Sequence, residues 1–132
     1  MILDVRLDEL IPHPVETVWG ALTDAESIAG WLMATDGFRA EVGASFRMKT
    51  GTMSADGWVR AEVLELDPRR RMVWSWSIAD SLAPTTVTFE LAPEGDGTRL
   101  TVTHAGQIDP DIGALLVSGW PGRIELLRRS LD

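Results

Sequence analysis

The chain has 132 residues, of which 45% are hydrophobic and 24% are charged, and this composition predicts one globular domain over residues 1–132. It contains no cysteine, which excludes disulfides, thiolate nucleophiles and zinc-thiolate sites. The formal net charge of -8 would repel a phosphate backbone over most of the surface, so nucleic acid is a poor candidate partner.

The N-terminal segment carries Asp4, Arg6, Asp8 and Glu9 among its apolar residues. A signal peptide needs an uninterrupted apolar core, and this segment does not supply one. No apolar run elsewhere approaches the roughly 20 residues that span a bilayer. We therefore expect a cytoplasmic protein that does not engage a membrane.

The first part of the chain predicts one strand and two short helices. Residues 2–11 alternate between apolar and polar side chains, which is the period of a half-buried strand. Pro14 fits the first turn of a helix, with His13 in an unusual capping role. Thr23 opens a Thr-x-x-Glu sequence, which is the spacing of a capping box, so a second helix is expected to run from there to Leu32.

From residue 37 onward the pattern changes to short extended runs separated by turn residues. The acidic and glycine-rich residues 94–97 give a strong hairpin signal, and the basic residues 69–71 look like a solvated hairpin turn. In one run, Met72, Trp74 and Trp76 share a face. The sequence predicts six strands here, over residues 38–42, 45–50, 57–66, 72–78, 85–91 and 98–104.

The last segment, residues 109–132, is the best candidate for a long C-terminal helix. Gly119 and Pro121 predict a break or restart of this helix near Trp120. Its apolar face is predicted to consist of Leu115, Leu116, Ile124, Leu127 and Leu131.

Three segments resemble activator-of-Hsp90-ATPase-like proteins of the SRPBCC (Bet v 1-like, START-related) superfamily. The first is residues 11–24, IPHPVETVWGALTD, followed by Ile28 and by Trp31 and Leu32. The second is Asp67 and Pro68 before the run MVWSW at residues 72–76. The third is the sequence GWP at residues 119–121 with Leu126 and Leu127.

This resemblance implies an α+β helix-grip fold, in which a curved antiparallel β-sheet wraps around a long C-terminal helix and two short helices follow the first strand. It also implies a cavity between the sheet and that helix. Known activities of the superfamily include lipid and hormone binding, polyketide cyclisation and the binding of chaperone partners, so the fold does not fix the function. Two connections that are short for the family, residues 51–57 and 80–83, are expected to narrow or to open the cavity mouth.

The chain has six tryptophans and no tyrosine, and most of the tryptophans, Trp58 among them, fall on faces predicted to point inward. Aromatic rings offer a ligand large rigid apolar walls, and methionines such as Met33 and Met53 offer an adaptable surface. Plain core packing explains the same spacing, above all for Trp19. The candidate ligand-binding residues are Trp31, Phe46, Met48, Trp74, Trp76, Phe89, His104 and Trp120.

His104 ends a predicted inward strand face, where its imidazole could orient a ligand or act as a general base. A hydrogen-bonded structural histidine is the alternative, so His104 is a weak catalytic candidate. The only other histidine is His13, and no carboxylate spacing near either residue suggests a metal site. The sequence has no nucleotide fingerprint and no nucleophile elbow, so we expect neither a metal nor a cofactor.

Three functions stay open at this point. The first is binding of a small hydrophobic or aromatic ligand in the cavity, the second is a cyclase or dehydratase that uses His104 as its acid-base group, and the third is a chaperone or other protein-partner module. The lack of a catalytic motif favours binding over catalysis. The sequence leaves open a monomer or a homodimer. It also leaves open which way Arg47, Arg60 and Glu62 face, because a one-residue slip in register reverses each.

Overall fold

The computed structural model describes residues 1–51, 53–78 and 83–132 of the chain. Of the connection predicted at residues 80–83 it describes only Ala83, so that prediction lies largely outside the described residues. The elements are β1 (Ile2–Ile11), α1 (Val15–Thr23), α2 (Ala25–Trp31), β2 (Thr35–Asp36), β3 (Ser45–Lys49), β4 (Trp58–Asp67), β5 (Arg71–Ile78), β6 (Thr85–Glu94), β7 (Gly97–Gln107) and α3 (Pro110–Ser130).

The strands of the described residues form one antiparallel sheet in the order β1-β7-β6-β5-β4-β3-β2. The sheet curves around α3, whose Trp120 ring packs on Trp76 and Phe89 of the sheet at centroid distances of 6.1 and 6.3 Å. The two short helices follow β1 and α2 contacts α3. The predicted α+β helix-grip fold is confirmed, including its order of one strand, two helices, six strands and one helix.

One face of the sheet is buried because apolar and polar side chains alternate along its strands. In β5, Met72, Trp74 and Trp76 are each at most 2% exposed. Neighbouring strands continue this row: Val5, His104, Val87, Trp74 and Val63 are paired across five strands. The register therefore brings His104 of β7 to the inner face beside the tryptophans of β5.

The register also determines which side chains lie on the outer face of the sheet. Arg47 and Arg60 are paired across β3 and β4, and both are exposed, as is Glu62 two residues farther along β4. Trp58 shares their face, because it stands two residues before Arg60. Its ring lies 3.8 Å from the Arg47 guanidinium carbon, so the prediction that Trp58 points inward was wrong.

The strand predicted at residues 38–42 does not form, and the short strand β2 takes its place in the sheet. Thr35 and Asp36 pair with β3, and the chain then leaves the sheet at Gly37, whose φ of 87° breaks the extended path. Phe38 turns inward instead, with its ring 5.0 Å from that of Phe46. Phe38 therefore packs against the core from a loop, whereas Val42 of the same segment is exposed.

Both predicted helix caps differ from the observed ones. The N-cap of α1 is Pro14, and His13 instead places Nε2 3.0 Å from Oδ1 of Asp132. The N-cap of α2 is Asp24, whose carboxylate accepts a 3.0 Å hydrogen bond from the backbone N–H of Ser27. An ionised carboxylate also complements the positive end of the helix dipole.

Helix α3 continues without the predicted break near Trp120, over 21 residues. Pro121 has no backbone N–H to donate to the carbonyl of Val117, four residues earlier. Both residues lie on the exposed side of the helix. The apolar face is narrower than predicted, because Leu115 is 43% exposed. Leu116, Trp120, Ile124 and Leu127 are the large side chains that α3 buries.

Candidate ligand site

An open cleft of about 370 Å³ lies between α3 and the part of the sheet that contains Trp76 of β5 and the end of β3. Its floor contains Trp76 of β5. One side is formed by the end of α2 and the connection after β3, and the other side by successive turns of α3. The lining residues on the first side are Leu32 and Met33 directly after α2, Lys49 at the end of β3, and Thr50, Gly51 and Met53 of the connection, and those from α3 are Leu115, Leu116, Ser118, Gly119, Trp120 and Arg123.

Of the predicted ligand-binding residues, Trp76 and Trp120 line this cleft. The others make up the packed interior beneath it. Trp74 is the centre of that interior, with ring centroids 5.2 Å from Phe46 and 4.9 Å from Phe89. Phe89 in turn packs edge-on against Trp31 at 6.2 Å, and Met48 is fully buried. These edge-to-face contacts are those of a close-packed aromatic core.

His104 lies behind the cleft and is fully buried. The indole Nε1 of Trp120 donates to its Nδ1 at 3.0 Å, so the ring proton belongs on Nε2. Nε2 then donates to Oγ1 of Thr85 at 2.7 Å, and that hydroxyl donates to the Trp76 carbonyl at 3.3 Å. The side chain of His104, which belongs to β7, thereby links α3 to β6 and, through the Thr85 hydroxyl, to the backbone of β5.

The electrostatics of this site favour a neutral imidazole. Burial lowers the pKa of His104 to about 4, because the charged form loses its hydration and gains no opposite charge. Its hydrogen-bond partners within the described residues, Thr85 and Trp120, are uncharged. Both ring nitrogens are occupied, so His104 has no free site from which to accept or deliver a proton.

Among the described residues, two buried indole N–H groups have no hydrogen-bond partner, those of Trp74 and Trp76. The other buried indoles are satisfied: Trp31 donates to the Ala21 carbonyl at 2.9 Å and Trp120 to His104. A buried donor without an acceptor is uncommon and costs about 1–3 kcal/mol. Of the two unpaired donors, the one on Trp76 belongs to a residue that lines the cleft.

The charged residues that line the cleft among the described residues are Lys49 and Arg123, and both are basic. The Lys49 ammonium lies 4.8 Å from the centre of the Trp58 ring, so its charge is on the outer face of the sheet. Arg123 is exposed on α3 and has no carboxylate partner in the described part of the chain, whereas Arg128 and Arg129 share Glu125. Arg123 is therefore the cation on the cleft side of α3 that lacks a carboxylate partner among the described residues.

Sequence reasoning identified Trp76, Trp120, Met33 and Met53 of this lining but not Gly119 or Arg123. Positions 115, 116, 119, 120 and 123 recur at the spacing of one helix face. That signal is present in the sequence. It was obscured because Gly119 was interpreted as part of a helix break.

Comparison with known proteins places the chain in a family. The model of the family described as Activator of Hsp90 ATPase homolog 1-like protein matches residues 12–132. The chain belongs to this family. Its place in the SRPBCC superfamily, expected from the resemblance of the sequence, is thereby confirmed.

Solved structures agree with this assignment. Protein MLL2253 from Mesorhizobium loti is 33% identical, with a TM-score of 0.84 over 98% of this chain and 96% of that chain. DynU16, from the dynemicin biosynthetic locus, is 29% identical, with a TM-score of 0.81 over 97% of this chain but only 46% of its own. CalU16 from Micromonospora echinospora shares the fold at 24% identity, with a TM-score of 0.82 over 99% of this chain and 77% of that chain.

No curated protein matches the chain. Within the described residues, no helix is long and apolar enough to cross a membrane. In the same part of the chain, no three histidine, aspartate or glutamate side chains converge as metal ligands would. The cytoplasmic location expected from the sequence stays a prediction.

Proposed function

We propose that this protein binds a small apolar or aromatic ligand in the cleft between α3 and the sheet. The observation that carries the proposal is the cleft itself, which has about 370 Å³ of space and a mostly apolar lining with Trp76 and Trp120. Ligand sites are typically concave, apolar and of this size, with few polar groups. DynU16, a protein of the dynemicin biosynthetic locus, has the same fold.

The two sides of the cleft suit different parts of this task. Trp120 is held by its hydrogen bond to His104, so it offers a fixed flat wall. Met33 and Met53 are half-buried at the opposite side, and methionine side chains adapt their shape easily. A ligand would be oriented by the first side and enclosed by the second.

The acid-base alternative loses its support, because both nitrogens of His104 are engaged and burial holds its pKa at about 4. The protein-partner alternative would be favoured by one large exposed apolar patch. Of the exposed large apolar residues in the described chain, Leu115, Val117 and Leu126 share α3, and the others are spread over the N-terminus and β1, the loop before β3, and β4. We therefore keep ligand binding as the proposal.

Gly119 provides the experiment. It lines the cleft, and a Cβ built there meets no atom within 4 Å, so Gly119→Leu adds a side chain to the open space without a clash. Gly122 in the same helix is equally open but does not line the cleft, which makes Gly122→Leu the matched control. Both changes replace a helical glycine and should raise the free energy of unfolding by about 1 kcal/mol.

The measurement is a fluorescence titration with the uncharged dye aminoanthracene, alongside thermal unfolding of each variant. We expect saturable binding to the unmodified protein and to Gly122→Leu, and at least about tenfold weaker binding to Gly119→Leu. The absence of saturable binding, or equal binding by both leucine variants, would contradict the proposal.

A further inference from the structure

We infer that the free edge of strand β1 is an interaction surface for a second copy of this chain. In the resulting dimer, β1 pairs antiparallel with β1 of the second copy about a two-fold axis at Val5, so that the two sheets become one. The cleft takes no part in this contact, because its described lining includes no residue of β1.

Strand β1 leaves a long, regular edge without a partner in the described chain. It is the last strand on its side of the sheet, and it pairs with β7 over all ten of its residues without a shift in register. The opposite side of the sheet ends in β2, which has two residues. Unpaired edges readily take up another strand, and proteins usually shorten or cover them. The short β2 limits one edge of this sheet, and a second copy would cover the other.

The hydrogen-bond pattern shows which backbone groups face this edge. The amine of Met1 donates to the Ile108 carbonyl at 2.8 Å, and the Met1 carbonyl accepts from the Ile108 N–H at 3.0 Å. In an antiparallel pair, such doubly bonded residues alternate along the strand with residues that direct their backbone groups to the other side. The even-numbered residues of β1 therefore direct N–H and C=O groups to the free edge, and all of them are exposed: Ile2, Asp4, Arg6, Asp8 and Leu10.

The charges on this edge favour one register. With the axis at Val5, Asp4 lies opposite Arg6 of the second copy, and the symmetry repeats this pair of opposite charges. With the axis at Arg6, the two arginines would face each other and Asp4 would face Asp8. Opposite charges directly across two strands stabilise the pairing, and like charges destabilise it. Asp4 has no ion-pair partner among the described residues, and the described partner of Arg6 is Asp8, at 3.6 Å.

A register with the axis at Leu7 would also place opposite charges across the contact, but it fits the inner face less well. It would place Val5 opposite Glu9, an apolar side chain against a charged one. With the axis at Val5, this residue meets its own copy and Leu3 meets Leu7, so the inner pairs nearest the axis are apolar. A two-fold axis satisfies both free edges at once, so the association stops at two copies.

Sedimentation velocity tests the pairing. Over about 5–500 µM protein, in about 0.15 M salt to screen the formal net charge of -8, the unmodified chain should pass from monomer to dimer. Asp4→Arg or Arg6→Asp alone places like charges opposite each other twice, so each should weaken association at least about tenfold. An equal mixture of these two variants restores opposite charges in a mixed dimer and should associate as the unmodified chain does.

The matched controls carry the same changes of charge on another part of the surface. Glu41→Arg and Arg39→Asp lie in the loop between β2 and β3, where both residues are exposed. They should associate as tightly as the unmodified chain.

A cysteine cross-link tests the position of the axis. The chain has no cysteine, so an introduced one is unique. Val5→Cys would place two cysteines with their Cα atoms about 4.5 Å apart, which a disulfide can span, and oxidation should yield a covalent dimer. Leu7→Cys is the comparison, because its two copies would lie about 14 Å apart and should not cross-link.

Each possible failure contradicts the inference. An unmodified chain that stays monomeric at about 500 µM would overturn it and leave the edge to a strand of another protein. A dimer that Asp4→Arg and Arg6→Asp do not weaken would lie on another surface, and a mixture of both that stays monomeric would overturn the pairing of opposite charges. A disulfide in Leu7→Cys but not in Val5→Cys would show that the axis is wrong. Binding in the cleft is measured separately, so none of these results bears on the proposed function.

Discussion

Mild acid should destabilise this fold through one side chain, His104. In the unfolded chain its imidazole takes up a proton as the pH falls below about 6.5, whereas burial lowers its pKa in the folded protein to about 4. The unfolded state therefore binds more protons between these two values, and the free energy of unfolding falls as the pH falls. The contribution of His104 to stability is complete above about pH 6.5 and is lost progressively toward about pH 4.

The size of the effect follows from the separation of the two pKa values. One pKa unit corresponds to about 1.4 kcal/mol, so the full shift is worth about 3 kcal/mol. Part of the stability of a small domain, typically about 5–15 kcal/mol, would thus depend on a neutral imidazole. Thr85 and Trp120, the polar neighbours of the ring among the described residues, carry no charge, so they add no opposing titration.

Urea unfolding at a series of pH values between about 7 and 4.5 measures this slope. The comparison protein is His104→Gln, which has no titrating group at this position but can still donate and accept hydrogen bonds. His13 is present in both proteins, so its contribution cancels in the difference. Glu125, whose pKa is lowered to about 2 by Arg128 and Arg129, is also present in both proteins, so its contribution toward the acid end of the range cancels in the same way.

We expect the difference in free energy of unfolding between the two proteins to change by up to about 1.4 kcal/mol for each pH unit. A difference that stays constant from about pH 7 to about pH 4.5 would refute the argument, since it would mean that His104 takes up its proton equally in both states. A His104→Gln protein that is less stable at every pH, but whose free energy of unfolding changes with pH as steeply as that of the unmodified protein, would also fail to support the argument.

Two further substitutions test the packing around the site and the sheet edge by thermal or urea unfolding. Thr85→Val removes the acceptor of the His104 N–H from a fully buried position, so it should lower the free energy of unfolding by about 1–3 kcal/mol. The same change at the exposed Thr86 should alter the free energy of unfolding by less than about 0.5 kcal/mol. Equal effects of the two substitutions would contradict this account. Gly97→Ala would place a Cβ 2.6 Å from the carbonyl oxygen of Ile11, so the first strand must shift and the melting temperature should fall; an unchanged melting temperature would show that the contact relaxes freely.

The sequence was a good guide to the sheet because side-chain alternation has a period that few other structures share. The alternation in residues 72–78 correctly predicted that Met72, Trp74 and Trp76 are buried on one face. The strand predicted at residues 38–42 was wrong because apolar content alone does not fix an extended backbone. Gly37 turns the chain out of the sheet there, and local patterns do not record which neighbouring strand is within reach.

The site was harder to predict than the fold. Alternation indicates which side chains point inward, but it does not indicate where packing leaves space. Trp74 and Trp76 are two residues apart on one strand face, yet Trp74 is surrounded by aromatic rings and Trp76 borders the cleft. Arg123 was missed because its place on the cleft depends on an unbroken helix through Pro121.

The hydrogen bonds of His104 constrain how the walls of the proposed binding cleft can change. The hydrogen bonds that hold the Trp120 ring in place also hold α3 on the sheet. A substitution that reorients this ring therefore also destabilises the fold. Met33 and Met53 on the opposite side take no part in that network. Substitutions there can alter which molecules fit while the architecture stays intact, so one side of the cleft is free to vary and the other is constrained by folding.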